Sequence, residues 1–437
     1  MLATLPILAI LATAPPNFDA PDFDKLIEKG RASLVTYDVN SAEKAYAEAC
    51  PAESAESLPR DEIAFCEHGR GVISDLRGNS EEAARHYINA LSNWEALGDN
   101  FLAHRIKTLT SLGGAYRRQG RVKDAERVLS EAFGLVKPLA QSDPELYGTV
   151  LSRWGAVYGE PDAARTKLNE AIEVLRGVKP PNARELALAY NALGMLDLSI
   201  GRYKAGEANL RQAMELGGES VGENHPEAAG YAANLALALL AEGEFNRAET
   251  LLRRARFVIE SRAGASSLQL VNVLAGLTSV ETALGKFSAA EECGQRAMVI
   301  LREHAAHGAT ANRGEIALIE VSLGGLYLRE GKTAEADAIL TPAVDEERGL
   351  FHGGRRLGDG IRMLALLRTQ QQAWSQAESL YGEALGIYDA ALGPNHPDIA
   401  AVLHEYAGVL KHQRAPKDKV RSIEARARAI DRTGSRA

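Results

Sequence analysis

One recurring position limits what this chain can fold into. A small residue returns at Ala42, Ala83, Ala125, Ala164, Gly206, Ala248, Ala290, Ala336 and Ala377, with spacings of 41, 42, 39, 42, 42, 42, 46 and 41 residues. Seven residues after each comes an alanine: Ala49, Ala90, Ala132, Ala171, Ala213, Ala255, Ala297, Ala343 and Ala384. Seven residues are two turns of α-helix, so both small residues share a face and let a neighbouring helix come close. Five residues ahead of the tracking position stands glycine, at Gly78, Gly120, Gly159, Gly201, Gly243, Gly285 and Gly331. A helix that stops and reverses needs a residue that takes positive φ without strain, and glycine does so. Each turn is preceded by another apolar stripe, such as Leu112, Gly113 and Tyr116, or Leu323, Gly324 and Tyr327. The unit is therefore helix, tight turn, helix, longer loop.

Units of this kind stack into a solenoid, which lengthens without enlarging a single core, so 437 residues do not imply several globular domains. With 46% apolar and 25% charged residues, an ordered chain is expected. The fullest unit runs from Asn224 to Gly264, through Asn224-His225-Pro226, Asn234-Leu235-Ala236 and the Gly243-Glu244-Phe245 turn. The solenoid is expected over residues 22–410 as nine helical pairs, with a degenerate final repeat and capping helix over 395–433. There, Lys419 and Arg426 stand where small residues are expected, as suits a polar end cap. The unit with Trp154, Gly155 and Tyr158 is three residues short, so its first helix is expected to end early, at Gly159-Glu160-Pro161. The 46-residue spacing puts extra loop around His304 to Gly314.

Leu5 to Ala14 is an apolar run of ten, far short of the ~20 residues that span a bilayer. Its length fits a secretory segment over residues 1–14, with Ala12-Thr13-Ala14 as a small-x-small cleavage site and 15–21 as linker. Against this, no Lys or Arg precedes the run, and Pro15 would follow the cut. Export to an oxidising compartment is the expectation, and a cytoplasmic location the alternative. Cys50 and Cys66 close one predicted helix and enter the next, so a disulfide between them is possible, as are two buried thiols. Cys293 has no evident mate and reads as a small core residue.

The formal net charge of −8 argues against a general affinity for nucleic acid or anionic membrane. From Lys411 to Arg436, nine Lys or Arg face three Asp or Glu. That basic stretch reads as a solvated helix covering the last repeat, or as an arm for an acidic partner. There is no Gly-Lys-Ser/Thr phosphate loop, dinucleotide fingerprint or Gly-x-Ser-x-Gly elbow, so no catalytic residue or cofactor is expected. His304 and His307 read as loop histidines, and no metal site is expected. The His-Pro pairs at 225–226 and 396–397 read as helix starts, proline being pre-organised for the first helical position, with Asn224 and Asn395 as nearby caps.

In sum of residues, Leu112-Gly113, Tyr116, Gly120, Ala125, Leu129 and Ala132 match in order the small and large positions of the tetratricopeptide repeat, as do Leu323-Gly324, Tyr327, Gly331, Ala336, Leu340 and Ala343. The chain resembles that family over about residues 22–432. The 42-residue spacing and the Asn-His-Pro and Ala-Glu motifs resemble the kinesin-light-chain type, the usual period being 34. The resemblance implies an all-α, right-handed superhelical solenoid of antiparallel helix pairs, with first helices lining a concave inner face where peptides bind.

On that face the exposed stripe is expected at Lys107, Ser111, Gly114 and Arg117; at Leu188, Asn191, Met195 and Leu198; and at Gly230, Asn234, Leu237 and Leu240. It continues with Asn272, Gly276 and Ser279, then Leu318, Ser322, Gly325 and Leu328. The wall thus reads as basic near its N-terminal third and apolar with isolated asparagines beyond. Asparagine both donates to and accepts from a peptide backbone. The leucines within the apolar run Leu235–Ala241 read equally as buried between helices. The expected function is a non-enzymatic scaffold binding a peptide or partner helix through Lys107, Ser111, Arg117, Asn191, Asn234 and Asn272, the alternative being a regulator whose superhelical pitch changes with a bound peptide.

Overall fold

The computed structural model describes residues 23–51, 58–157, 160–306, 313–350 and 354–434. The secretory segment and linker expected over 1–21, and His307, lie outside them. Twenty α-helices form ten antiparallel pairs among the described residues. The first helices are α1 (Phe23–Val35), α3 (Arg60–Leu76), α5 (Leu102–Arg118), α7 (Pro144–Gly155) and α9 (Ala183–Ser199). They continue with α11 (Pro226–Ala241), α13 (Gln269–Ala283), α15 (Arg313–Glu330), α17 (Arg355–Gln370) and α19 (Pro397–His412). The second helices are α2 (Val39–Ala49), α4 (Ser80–Leu97), α6 (Val122–Val136), α8 (Pro161–Gly177) and α10 (Tyr203–Val221). They end with α12 (Phe245–Ala263), α14 (Phe287–Ala306), α16 (Thr333–Leu350), α18 (Trp374–Leu392) and α20 (Lys417–Gly434). No helix among the described residues is long and apolar enough to cross a membrane.

The tracking residues do what their spacing requires. Ala83 and Ala90, Ala125 and Ala132, Ala290 and Ala297, Ala336 and Ala343, and Ala377 and Ala384 are fully buried where helices cross. A larger side chain there would force the helices apart, which costs about 1–3 kcal/mol per site. The turns share one bonding pattern. In the third unit Arg121 N–H reaches back to Tyr116 O (2.9 Å) and Gly120 N–H to Arg117 O (3.0 Å), with Gly120 at φ +71°. The pattern recurs from Asn79 to Ser74, Glu244 to Leu239 and Lys286 to Glu281. It also recurs where glycine is missing, at Tyr37 (φ 64°), Gln372 (φ 59°) and Arg414 (φ 57°). Each lies five residues before Ala42, Ala377 or Lys419, so the first, ninth and tenth units keep the common register despite their sequences.

The tenth unit is a complete helical pair. Lys419 and Arg426 stand at the small positions there, and among the described residues no helix packs on the far side of α20. Their long side chains fold back onto the ninth unit, Lys419 onto Glu378 (2.6 Å) and Arg426 onto Asp389. Ala427 and Ile430 supply the buried face. The basic stretch is thus a terminal helix covering the last repeat. At the other end the structure bonds Cys50 to Cys66, with Cα atoms 6.4 Å apart, joining α2 to α3. Helix α7 has only twelve residues, as the short fourth unit requires, and Asp143 caps it by accepting from Leu146 N–H.

Successive first helices touch one another along the array, as α5 does α7 and α13 does α15, and so form the tight inner layer of a right-handed superhelix. Units five apart also meet. Tyr37, in the turn of the first unit, packs edge-on to His225 at the start of α11, ring centroids 5.8 Å apart. Gly78, in the turn of the second, faces Leu268 at the start of α13 so closely that a Cβ would lie 2.2 Å from Leu268 Cδ1. Gly201, in the turn of the fifth, faces Pro397 and His396 at the start of α19 in the same way. One superhelical turn therefore closes after about five units, and the next stacks against it.

The His-Pro pairs serve this seam. His225 and His396, and not the preceding asparagines, are the N-caps: His225 Nδ1 accepts from Glu227 N–H (3.2 Å) and His396 Nδ1 from Asp398 N–H (3.2 Å). The other nitrogen of His225, Nε2, donates across the seam to Val35 O (3.1 Å). The acids that follow are bound alike. Glu227 takes Arg184, and Asp398 takes Arg355 (2.6 Å) together with the Tyr203 hydroxyl from the fifth unit (2.5 Å). Imidazole suits a helix start that must both cap its own backbone and reach another chain segment, because it has one nitrogen for each task.

Candidate functional site: the inner wall

Near the N-terminus, α1, α3, α4 and α5 enclose a cavity of about 270 Å³ open to the inner face. Leu34, Phe65, Val72 and Trp94 form its apolar wall, and Arg31 and Lys107 stand at its edge. The aromatic side is rigid. Trp94 is buried, stacks on Phe101 (5.1 Å between centroids) and takes the Phe65 ring on its edge (4.9 Å). Thr108 fixes the polar corner. Its hydroxyl donates to His104 O (2.8 Å), so it must accept from Trp94 Nε1 (3.2 Å) and from His68 Nδ1 (3.0 Å). Neutral His68 therefore carries its proton on Nδ1, and Nε2 is left as an acceptor.

Burial first, then the positive charges of Arg31, His104 and Lys107, pushes His68 down to about 4. Burial and the same two basic residues push His104 down to about 4 as well. At neutral pH both rings are uncharged, and the positive charge at the site belongs to Arg31 and Lys107. Neither makes an ion pair with a described acid. Arg31 instead lies over the Phe65 ring, its guanidinium carbon 5.2 Å from the centroid, and bonds the Tyr46 hydroxyl. An apolar hole with two cations at its mouth suits a ligand carrying an apolar group beside an anionic one.

The other expected contacts divide. Ser111 faces the Tyr87 hydroxyl, which donates to Asp75 (2.9 Å), so Ser111 belongs to a packing network between the second and third units. Arg117 is exposed at the end of α5, away from the cavity, while Arg118 beside it reaches Asp75 (2.5 Å). Asn191 and Asn234, one unit apart on α9 and α11, are joined: Asn234 Nδ2 donates to Asn191 Oδ1 (2.7 Å). Both stay half-buried, and the pair leaves a carbonyl on Asn234 and an amide on Asn191. Asn272 is exposed on α13, one unit further on.

Parts of the expected stripe are wrong. Leu198 is buried because it packs on Gly206 of its own pair, where a Cβ would lie 2.6 Å from Leu198 Cδ2. Gly276 is buried against Leu252, and Leu328 lies in the core. Leu237 is 37% exposed, whereas Leu235 and Leu239, its neighbours in the apolar run, are core residues. His304 ends α14, and its Nε2 meets Ser266 O (2.9 Å) in the loop before α13.

Sequence reasoning missed Arg31, Phe65, His68, Trp94 and His104. The signal was local: Phe65, His68, Trp94, Phe101 and His104 crowd into forty residues of the second and third units, outside the repeat's own consensus positions.

Ten stacked helical pairs with an accessible inner layer define a helical-repeat solenoid. A family model for the tetratricopeptide repeat matches residues 186–227 and 361–398. Among solved structures the chain is similar to a Rap protein complexed with competence and sporulation factor, at 13% identity over 81% of this chain and 99% of that one, with a TM-score of 0.52. It is similar to NprR in complex with its cognate peptide NprX, at 17% identity over 74% and 88%, with a TM-score of 0.52. BtubC from P. vanneervenii aligns at 20% identity over 52% and 92%, with a TM-score of 0.45. No curated protein matches the sequence. Those two stretches match the tetratricopeptide repeat, and the chain as a whole has the fold of such repeat solenoids.

Proposed function

We propose that the protein is a non-enzymatic interaction scaffold that holds an extended peptide segment of a partner along its inner wall. The cavity between α1, α3, α4 and α5 carries this reading, because it is an apolar hole whose adjoining cations lack acid partners among the described residues. An apolar side chain enters it, and an acidic group next in the segment meets Arg31 and Lys107. Further along, the Asn191–Asn234 pair offers one acceptor and one donor, which an extended backbone satisfies at a single residue. NprR was solved with its cognate peptide and the Rap protein with competence and sporulation factor, which supports the same use of this fold. The Cys50–Cys66 bond supports an exported protein in an oxidising compartment, and N-terminal sequencing of native material tests that: an intact Met1 contradicts it.

The test is selection from a random peptide library, repeated with Asn191→Ala/Asn234→Ala. Recovered peptides are expected to share an apolar residue next to Asp or Glu, and the double variant is expected to weaken capture. Sequences with no such pairing, or enriched in Lys and Arg, contradict the reading. A second reading, a regulator whose pitch responds to peptide, draws on the seam. Its contacts are few, two hydrogen bonds beside the packing of Tyr37, Leu268 and Pro397, so turns five units apart can separate while neighbouring units stay packed. Small-angle scattering with and without a selected peptide tests it, and an unchanged radius of gyration counts against it.

A further inference from the structure

A second groove lies on the outer face. It runs between α10 and α12 above α11 and has a volume of about 410 Å³. Ala228, Ala229 and Ala232 of α11 make a floor with almost no side chain, and Met214, Leu251 and Val258 form the walls. One rim is acidic. Glu215 and Glu219 are exposed one turn apart on α10, and Glu223 follows just past its end. Glu223 binds Arg254 from the opposite wall and Glu215 takes Gln212 (2.8 Å), while Glu219 has no ion-pair partner among the described residues.

An independent feature adjoins the groove. Phe257, one turn beyond Arg254 on α12, is 70% exposed, and Val299, at the same repeat position on α14, is 53% exposed. Elsewhere that position, nine after the tracking residue, holds Pro51, Ser92, Gly134, Glu173, Glu215, Asp345 and Gly386. The second helices are thus polar or small at this point except on α12, which walls the groove, and on its neighbour α14. Two large apolar side chains in water on adjacent helices gain nothing for the fold, whereas a partner laid across them would cover them.

We propose that this outer groove docks a basic amphipathic helix from a protein partner, its apolar side on the alanine floor and Phe257 and its Lys or Arg residues along the glutamate rim. Small floor residues permit close approach of a helix backbone, and a rim of net negative charge selects a cationic one. The cavity on the inner wall has the opposite character, since the charges at its mouth are Arg31 and Lys107, so the two sites select different partners. This inference does not depend on the inner-wall reading.

The probe is a fluorescein-labelled eighteen-residue helix of leucine and lysine, compared by anisotropy with a scrambled peptide of equal composition. The amphipathic peptide is expected to bind at least tenfold more tightly than the scrambled one. Glu215→Lys/Glu219→Lys and, separately, Phe257→Asp are each expected to lower its affinity at least tenfold. Val72→Trp on the inner wall is expected to leave it unchanged. Circular dichroism of each variant checks that the solenoid is intact. Equal binding of the two peptides, insensitivity to the outer substitutions, or loss with Val72→Trp overturns the proposal. So does sedimentation equilibrium showing a dimer that Phe257→Asp dissolves, which would make a second copy of the chain the occupant.

Discussion

The two ends of the inner wall both carry basic residues on first helices and use them differently. At the C-terminal end Arg362 of α17 is bidentate to Glu405 of α19, and Arg355 holds Asp398. Each cation there has its acid one unit away, and the pairs clamp the last two units together. At the N-terminal end Arg31 and Lys107 have no described acid, and the space an acid would occupy is the mouth of a cavity lined by Phe65, Trp94 and Val72. A charge that bridges units contributes to the fold, while one left beside an apolar hole is available to a ligand. What separates them is the acid on the next helix, not the type of basic residue.

That contrast can be broken by substitution. Arg362→Ala leaves Glu405 partly buried without its partner and is expected to cost about 3 kcal/mol in urea unfolding, whereas Lys107→Ala is expected to change stability by less than about 0.5 kcal/mol. Equal losses at the two sites would erase the distinction.

The C-terminal half also holds the most exposed liability to pH. Glu347 of α16 is fully buried with neither carboxylate oxygen hydrogen-bonded, and burial raises it to about 7 from 4.5. The folded protein therefore keeps a proton that the unfolded chain has released. Stability is full below about pH 4.5, falls as the pH rises through about 7 and then levels off, by about 3 kcal/mol in all. Glu347→Gln is expected to remove that slope, and denaturation midpoints at pH 5.5 and 8.5 read it. At the N-terminal end the comparable stabilising device is covalent. Reduction of Cys50–Cys66, which closes sixteen residues, is expected to cost the first two units about 3 kcal/mol, read as lost amide protection in α1 and α2 but not in α19. The smallest expected effect is at a turn: Gln372→Gly relieves a left-handed backbone and should stabilise the ninth unit by about 0.5–1 kcal/mol, read from the same unfolding curves.

Most of the architecture was legible because it is local. Ala248 and Ala255 are two turns apart on one helix, and Gly243 sits at a fixed offset from both, so periodicity reported packing that recurs in every unit. Tyr37 and Arg414 hid two further turns, since neither residue type announces a positive φ. The seam was not legible at all. His225 reads correctly as a helix start, but its bond to Val35 joins residues 190 apart, and a repeat period carries no information on how many units complete a superhelical turn. The site was half legible for the same reason. Lys107 and the Asn191–Asn234 pair follow from their place on first helices, while the cavity needs Arg31, Phe65, Trp94 and His104 from four helices. Asn272 and Arg117 are exposed on first helices as expected, and lie apart from both the cavity and the asparagine pair.

The central claim is that the N-terminal cavity anchors the partner segment. It is tested by titrating a library-selected peptide into the wild-type protein and into Val72→Trp, which fills the cavity without touching a charge. At least tenfold weaker binding with an unchanged Tm is the expected result. Unchanged affinity at unchanged Tm would show that the cavity is packing space and that the peptide lies elsewhere.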